Sequence, residues 1–160
     1  MNLRGVFILL IVFSFTVVQG QTQNKSFDNS AFYKVLKSGS AAEIDAQIKM
    51  VRGSLIPEKE AYEGTLLMKR SELLDKAKDR LSMFKTGSSK LESSISKDSD
   101  NTEYRFLRLI IQEHAPRVVR YRKELEEDSR LIKKNFNSLS PFLQQIIIDY
   151  CKNSKVLKIP

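Results

Sequence analysis

One cysteine, Cys151, stands in a chain of 160 residues, so no disulfide within the chain can hold its fold. It follows the apolar rhythm of its neighbours and reads as a half-buried apolar side chain, not as a nucleophile. Histidine also occurs once, as His114, and tryptophan is missing. One histidine and one cysteine do not make a usual zinc site. An H-E-x-x-H pair, a G-x-S-x-G elbow, a phosphate-binding P-loop and a G-x-G-x-x-G fingerprint are all lacking. The sequence therefore implies no metal, no cofactor and no catalytic residue. Strand signals are as scarce. After residue 30, period-2 alternation never outlasts four residues, and neither Asn-Gly nor Asp-Gly occurs.

Long apolar runs are absent too, except at the start. Asn2 to Gly5 form a short positive segment, Val6 to Val18 are apolar apart from Ser14 and Thr16, and Val18-Gln19-Gly20 is a plausible peptidase site. This is the pattern of a secretory signal peptide over residues 1–20, cleaved after Gly20. A membrane-crossing helix needs about 20 apolar residues, and this run has thirteen before the polar stretch Gln19 to Asn24. No cysteine near the site offers lipid attachment. Residues 21–29 read as a disordered linker and 30–160 as a single helical domain. Asn24-Lys25-Ser26 is a glycosylation sequon if the host is eukaryotic.

Acidic residues are the minority charge. Without Arg4, 26 basic residues face 19 acidic ones, a net charge of +7. The basic residues are spread along the chain and mixed with acids, which suits a solvated surface. An anionic lipid or polysaccharide surface is the alternative partner. Export argues against nucleic acid.

What is present is helical punctuation. Asp28 or Asn29 can cap a short helix that Gly39 ends, and Ser40-Ala41-Ala42-Glu43 is a capping box. Ile44, Ile48 and Val51 follow at helical spacing, and Pro57 suits the first turn of a third helix. That helix carries apolar residues from Ala61 to Leu74. A fourth is predicted from Asp75 to Lys97, with Ala77, Leu81, Phe84, Leu91 and Ile95 keeping phase across Gly87. Gly87 thus reads as a weak point in one helix, where a small residue lets a neighbour pack closely. Asp98 to Asn101 break the chain. A fifth helix follows to His114, apolar round most of its circumference and so central. His114 suits its negative end. A sixth is expected from Lys123 to Asn135, and Ser140-Pro141 open a seventh. The fold class is all-α: an irregular bundle of six or seven helices in αα-hairpins. The alternative, a tetratricopeptide-like hairpin stack, rests on the turn Ile95 to Glu103, without the expected repeat.

Two polar clusters compete for a function. Glu124, Glu126, Glu127 and Asp128 point to different sides of a helix and read as a solvated face paired with Arg122, Lys123 and Arg130. A small carboxylate-dependent hydrolase would need acids with distinct environments in a cleft. The second cluster is basic and aromatic. Tyr104, Arg105, Arg108 and Gln112 share a broad side of the fifth helix, and Arg117, Arg120, Tyr121 and Arg122 follow Pro116. Arginine's planar fork suits a carboxylate or phosphate held by two bonds. This constellation (Tyr104, Arg105, Arg108, Gln112, Arg117, Arg120 and Tyr121) is the candidate partner-binding surface. Its plainer role is internal pairing with Glu103, Glu113 and Glu124.

The runs Asn101 to Glu113, Leu139-Ser140-Pro141 and Ala61 to Lys69 resemble segments of small, uncharacterised, secreted bacterial proteins. That resemblance implies an exported, all-helical protein and carries no activity with it. The expected function is a noncatalytic protein–protein interaction module of the bacterial envelope, secreted or periplasmic, with a protein or peptide partner.

Overall fold

The computed structural model describes residues 27–159 and contains seven α-helices, four of which begin at a side chain that accepts from a free backbone N–H. They are α1 (Asn29–Ser38), α2 (Ala41–Gly53), α3 (Lys59–Ser71), α4 (Ala77–Lys97), α5 (Thr102–His114), α6 (Leu125–Asn135) and α7 (Pro141–Cys151). Asp28 accepts from the Ala31 N–H, Asn101 from Tyr104 and Ser140 from Leu143, while Ser40 and Glu43 close the capping box reciprocally. Each such cap contributes about 1 kcal/mol. Short 3₁₀ turns at Arg117–Val119 and Phe136–Ser138 join the later helices. No strand occurs among the described residues, and no described helix is long and apolar enough to cross a membrane. The signal segment and its cleavage site lie outside the described residues.

The fold starts slightly before residue 30, because Phe27 already packs against Phe32 and Tyr62. Three hairpins follow, α1/α2, α3/α4 and α5/α6, with α7 closing the end. Their arms are unequal: 13 and 21 residues in the second, 13 and 11 in the third. The hairpins therefore stack without a repeating unit.

The α3/α4 hairpin is the most intimate contact. Gly87 does lie inside one unbroken helix, and it faces Gly64. A Cβ added to Gly64 would stand 2.6 Å from the Gly87 carbonyl oxygen, and one added to Gly87 would stand 2.5 Å from that of Gly64. Each glycine costs about 1 kcal/mol of helix propensity, and the gain is direct contact between the two backbones. Gly39 acts differently from a left-handed helix cap: its φ is −69°, and a side chain there would collide with Val35.

The core runs through α5. Phe106, Leu107 and Leu109 are fully buried among Leu66, Leu91, Ile132 and Ile147, each burial contributing about 1.5–3 kcal/mol. Three boundaries differ from expectation. α3 stops at Ser71, α4 starts at Ala77, and α6 starts at Leu125. Because residues 75–82 are all exposed, the first turns of α4 have nothing to pack on, and Leu73 and Leu81 lie in solvent instead of the core.

Candidate binding groove

The arginine constellation turns inward. Arg108 is 4% exposed. Its Nε and Nη2 donate to the two oxygens of Asp128, each at 2.7 Å, and its Nη1 reaches Glu92 at 2.8 Å. Arg105 bonds Asp128 and Glu127, both at 3.1 Å, and the Ser99 carbonyl oxygen. Tyr121 donates to Glu92, and Gln112 to Glu124 at 2.7 Å. Burial opposes charge on Arg108, but Asp128 and Glu92 outweigh it and hold the guanidinium's pKa above its usual value. Burial, and then Glu92, raise that of Tyr121. These groups tie α4, α5 and α6 together.

Of the seven candidate residues, Tyr104, Arg108 and Gln112 are buried, while Arg105 and Tyr121 are half-buried and internally bonded. Only Arg117 and Arg120 are exposed. They flank Val118, which is 85% exposed, on a loop where Arg120 takes a left-handed φ of 51°. Of the expected internal acceptors, Glu124 does take Gln112, whereas the side chains of Glu103 and Glu113 take tyrosine hydroxyls instead of arginines. Asp128, placed on a solvated face, is wholly buried beneath the arginines. Arg122 bonds the Gln112 and Glu113 carbonyl oxygens and so closes the C-terminal end of α5.

The opposite side of α5 is open. A groove of about 490 Å³ runs between α1, α3, α5 and α7. Ile110 and Ile146 give it apolar surface over the buried Leu36 and Phe106, and Tyr33 and Tyr150 form two walls. Both tyrosines are held in place. Tyr33 donates to Glu103 at 2.7 Å, an acceptor shared with Tyr62 at 2.6 Å, and Tyr150 donates to Glu113 at 2.7 Å. Burial and then the neighbouring carboxylate push the pKa of each wall tyrosine upward, so each stays a donor. Tyr150 also meets Phe106 edge-on, with centroids 5.4 Å apart. A cleft of this size with apolar surface and fixed polar edges is the usual form of a binding site.

Lys34, Lys37 and Lys69 lie along the lip, with Glu72 and Asp149. Lys69 pairs with Glu72 at 2.8 Å, and Lys152 with Asp149 at 2.7 Å. Lys34 and Lys37 are exposed and belong to no salt bridge among the described residues. A smaller hollow of about 300 Å³ between α2 and α3 has its two arginines matched, Arg70 with Asp45 and Arg52 with Glu63, and an exposed Lys49 beside them. Among the described residues, no group of three His, Cys, Asp or Glu side chains is placed to hold a metal ion.

Sequence reasoning missed the groove. Its one visible signal was α5 itself, apolar on more faces than a single neighbouring helix covers. Neither a family model nor a curated protein nor a solved structure matches the chain.

Proposed function

We propose that the protein is a noncatalytic, exported helical interaction module of the bacterial envelope that holds a segment of a partner protein in the α1/α3/α5/α7 groove. The observation that carries this reading is the apolar groove with walls already fixed by Glu103 and Glu113. A preorganised site loses little freedom on binding, which favours affinity. The signal-like residues 1–20 support export. The two acids on the lip, Glu72 and Asp149, are each bonded to a lysine, which fits a recognition edge better than a catalytic pair.

Selection from a displayed peptide library is the test. Selected peptides should bind Ile110→Asp and Ile146→Asp variants at least tenfold more weakly, with helical content retained by circular dichroism. Equal affinity for native and variant proteins would overturn the reading.

A second reading keeps Arg117 and Arg120 in play. With Lys123 and the apolar tip Val118, they form an exposed basic loop suited to an anionic lipid or polysaccharide surface. Retention on a sulfated polysaccharide column should fall for Arg117→Ala/Arg120→Ala and stay unchanged for Lys76→Ala/Lys78→Ala. Equal losses would reduce the effect to net charge and end this second reading.

A further inference from the structure

We infer that the segment taken by the groove is acidic as well as apolar, carrying carboxylates that meet Lys34 and Lys37. The inference rests on the groove reading and adds the partner's charge. Lys34 and Lys37 sit one turn apart on α1, so both stand on the same lip. The neighbouring acids are already engaged. Asp149 is bonded to Lys152 and Glu72 to Lys69, while Glu43, the acid near Lys34, is held by Ser40 in its capping box. Lys37 faces Asp149 closely enough to help lower its pKa, behind the larger contributions of Lys152 and Gln145. Glu103 and Glu113 stand behind the tyrosine walls, their oxygens turned to the hydroxyls.

The lip thus presents three lysines (34, 37 and 69) against two acids, Glu72 and Asp149, and both acids are already bonded, Glu72 to Lys69 and Asp149 to Lys152 outside the lip. Below it lie Leu36, Phe106, Ile110 and Ile146. An occupant that matches both levels is a peptide segment with aliphatic or aromatic side chains on one face and acidic residues beside them. A basic segment would meet repulsion at the same lip, and such repulsion is a source of discrimination.

Two synthetic peptides with identical apolar side chains, flanked by glutamates in one and lysines in the other, test the inference against the full chain. The acidic peptide should bind native protein more tightly, with an association rate that falls as salt rises. Lys34→Glu/Lys37→Glu should weaken the acidic peptide about tenfold and strengthen the basic one, since exposed ion pairs are worth a few-fold each. Both residues are exposed, so folding should not suffer. Equal affinity of the two peptides for native protein, with both lost in Ile110→Asp, would overturn the acidic partner and leave the groove reading standing. Binding unaffected by Ile110→Asp, or binding of a single-chain fatty acid in place of either peptide, would remove the groove as a peptide site and the inference with it.

Discussion

α5 has two charged neighbourhoods that look alike in sequence and behave in opposite ways. Toward α4 and α6, Arg105 and Arg108 meet Glu92, Glu127 and Asp128 in a network centred on the buried Asp128. Toward α1 and α7, Tyr33 and Tyr150 meet Glu103 and Glu113 and line an open groove. The first neighbourhood spends its charge on holding helices together. In the second the polar bonds hold the walls, and cationic charge is left at the lip. The first arginines of the run, Arg105 and Arg108, therefore marked an internal lock, while the cations of the groove lip that join no salt bridge among the described residues are Lys34 and Lys37 on α1.

Breaking the lock should produce the largest effect. Asp128 is fully buried and accepts from both arginines, so Asp128→Ala strands Arg108 without its main partner. Removing one member of a buried pair costs about 3–5 kcal/mol, measurable as a lower denaturation midpoint. Replacing both, as Arg108→Met/Asp128→Leu, should cost clearly less than Asp128→Ala alone. A double variant no better than the single one would show that the network contributes more than mutual compensation of charge.

A contact with no charge at all gives the control. Gly87→Ala sets a methyl group against the Gly64 carbonyl oxygen, and α3 and α4 must part to admit it. Overpacking of this kind costs about 1–3 kcal/mol, in spite of alanine's better helix propensity. Thermal unfolding of Gly87→Ala and Gly64→Ala should show losses of similar size, because both methyls enter the same crossing. A stabilised Gly87→Ala would mean that the two backbones do not touch there.

These two contacts also show what could be read from sequence. The apolar phase across Gly87 disclosed one helix and a close neighbour, because periodicity and residue size are local properties. The caps at Asp28, Ser40 and Ser140 were legible for the same reason. Arg105 and Arg108 were correctly placed near each other on α5, but which way that face turned depended on α6 folding back over it. Asp128 lies 20 residues from Arg108, and nothing in the helical phase of either revealed that they would meet. The groove was less visible still. It is a space between four helices, and its lysines are distinguished only by their place on its lip.

On the groove side, acid should act before any mutation does. Burial favours the neutral form of Glu113, but hydrogen bonds from Ser154, Tyr150 and the Lys155 N–H outweigh it and leave the pKa below the ordinary 4.5. A carboxylate whose folded pKa is depressed contributes its full stability above the unfolded value. That contribution is lost as pH falls through the folded value, so the sensitive window lies below about pH 4.5. Glu113→Gln should cost about 1.5 kcal/mol at neutral pH, the low end for bonds to a charged group, because the amide oxygen still accepts. It should also flatten the acid limb of the stability profile and loosen the tail that places Leu157 in the core. Amide exchange at residues 154–157 would register that loosening, and an unchanged acid limb would remove Glu113 as its source.

The smallest change in stability should carry the clearest functional signal. Phe142 is 39% exposed at the start of α7, and its ring stands 6.0 Å from that of Tyr33, one of the groove walls. A half-exposed aromatic beside a fixed wall adds little to the fold, so Phe142→Ala should shift stability by only about 0.5 kcal/mol. The ring lies just outside the groove, where an occupant extending past Tyr33 would cover it, and aromatic side chains are frequent among those that carry binding energy. The acidic peptide should therefore bind Phe142→Ala several-fold more weakly by titration calorimetry, with its salt dependence unchanged. Asp128→Asn offers the mirror case: stability falls while groove affinity, measured well below the unfolding midpoint, stays near native. If instead Asp128→Asn lowers affinity and Phe142→Ala does not, the two sides of α5 are coupled, and the lock belongs to the binding site after all.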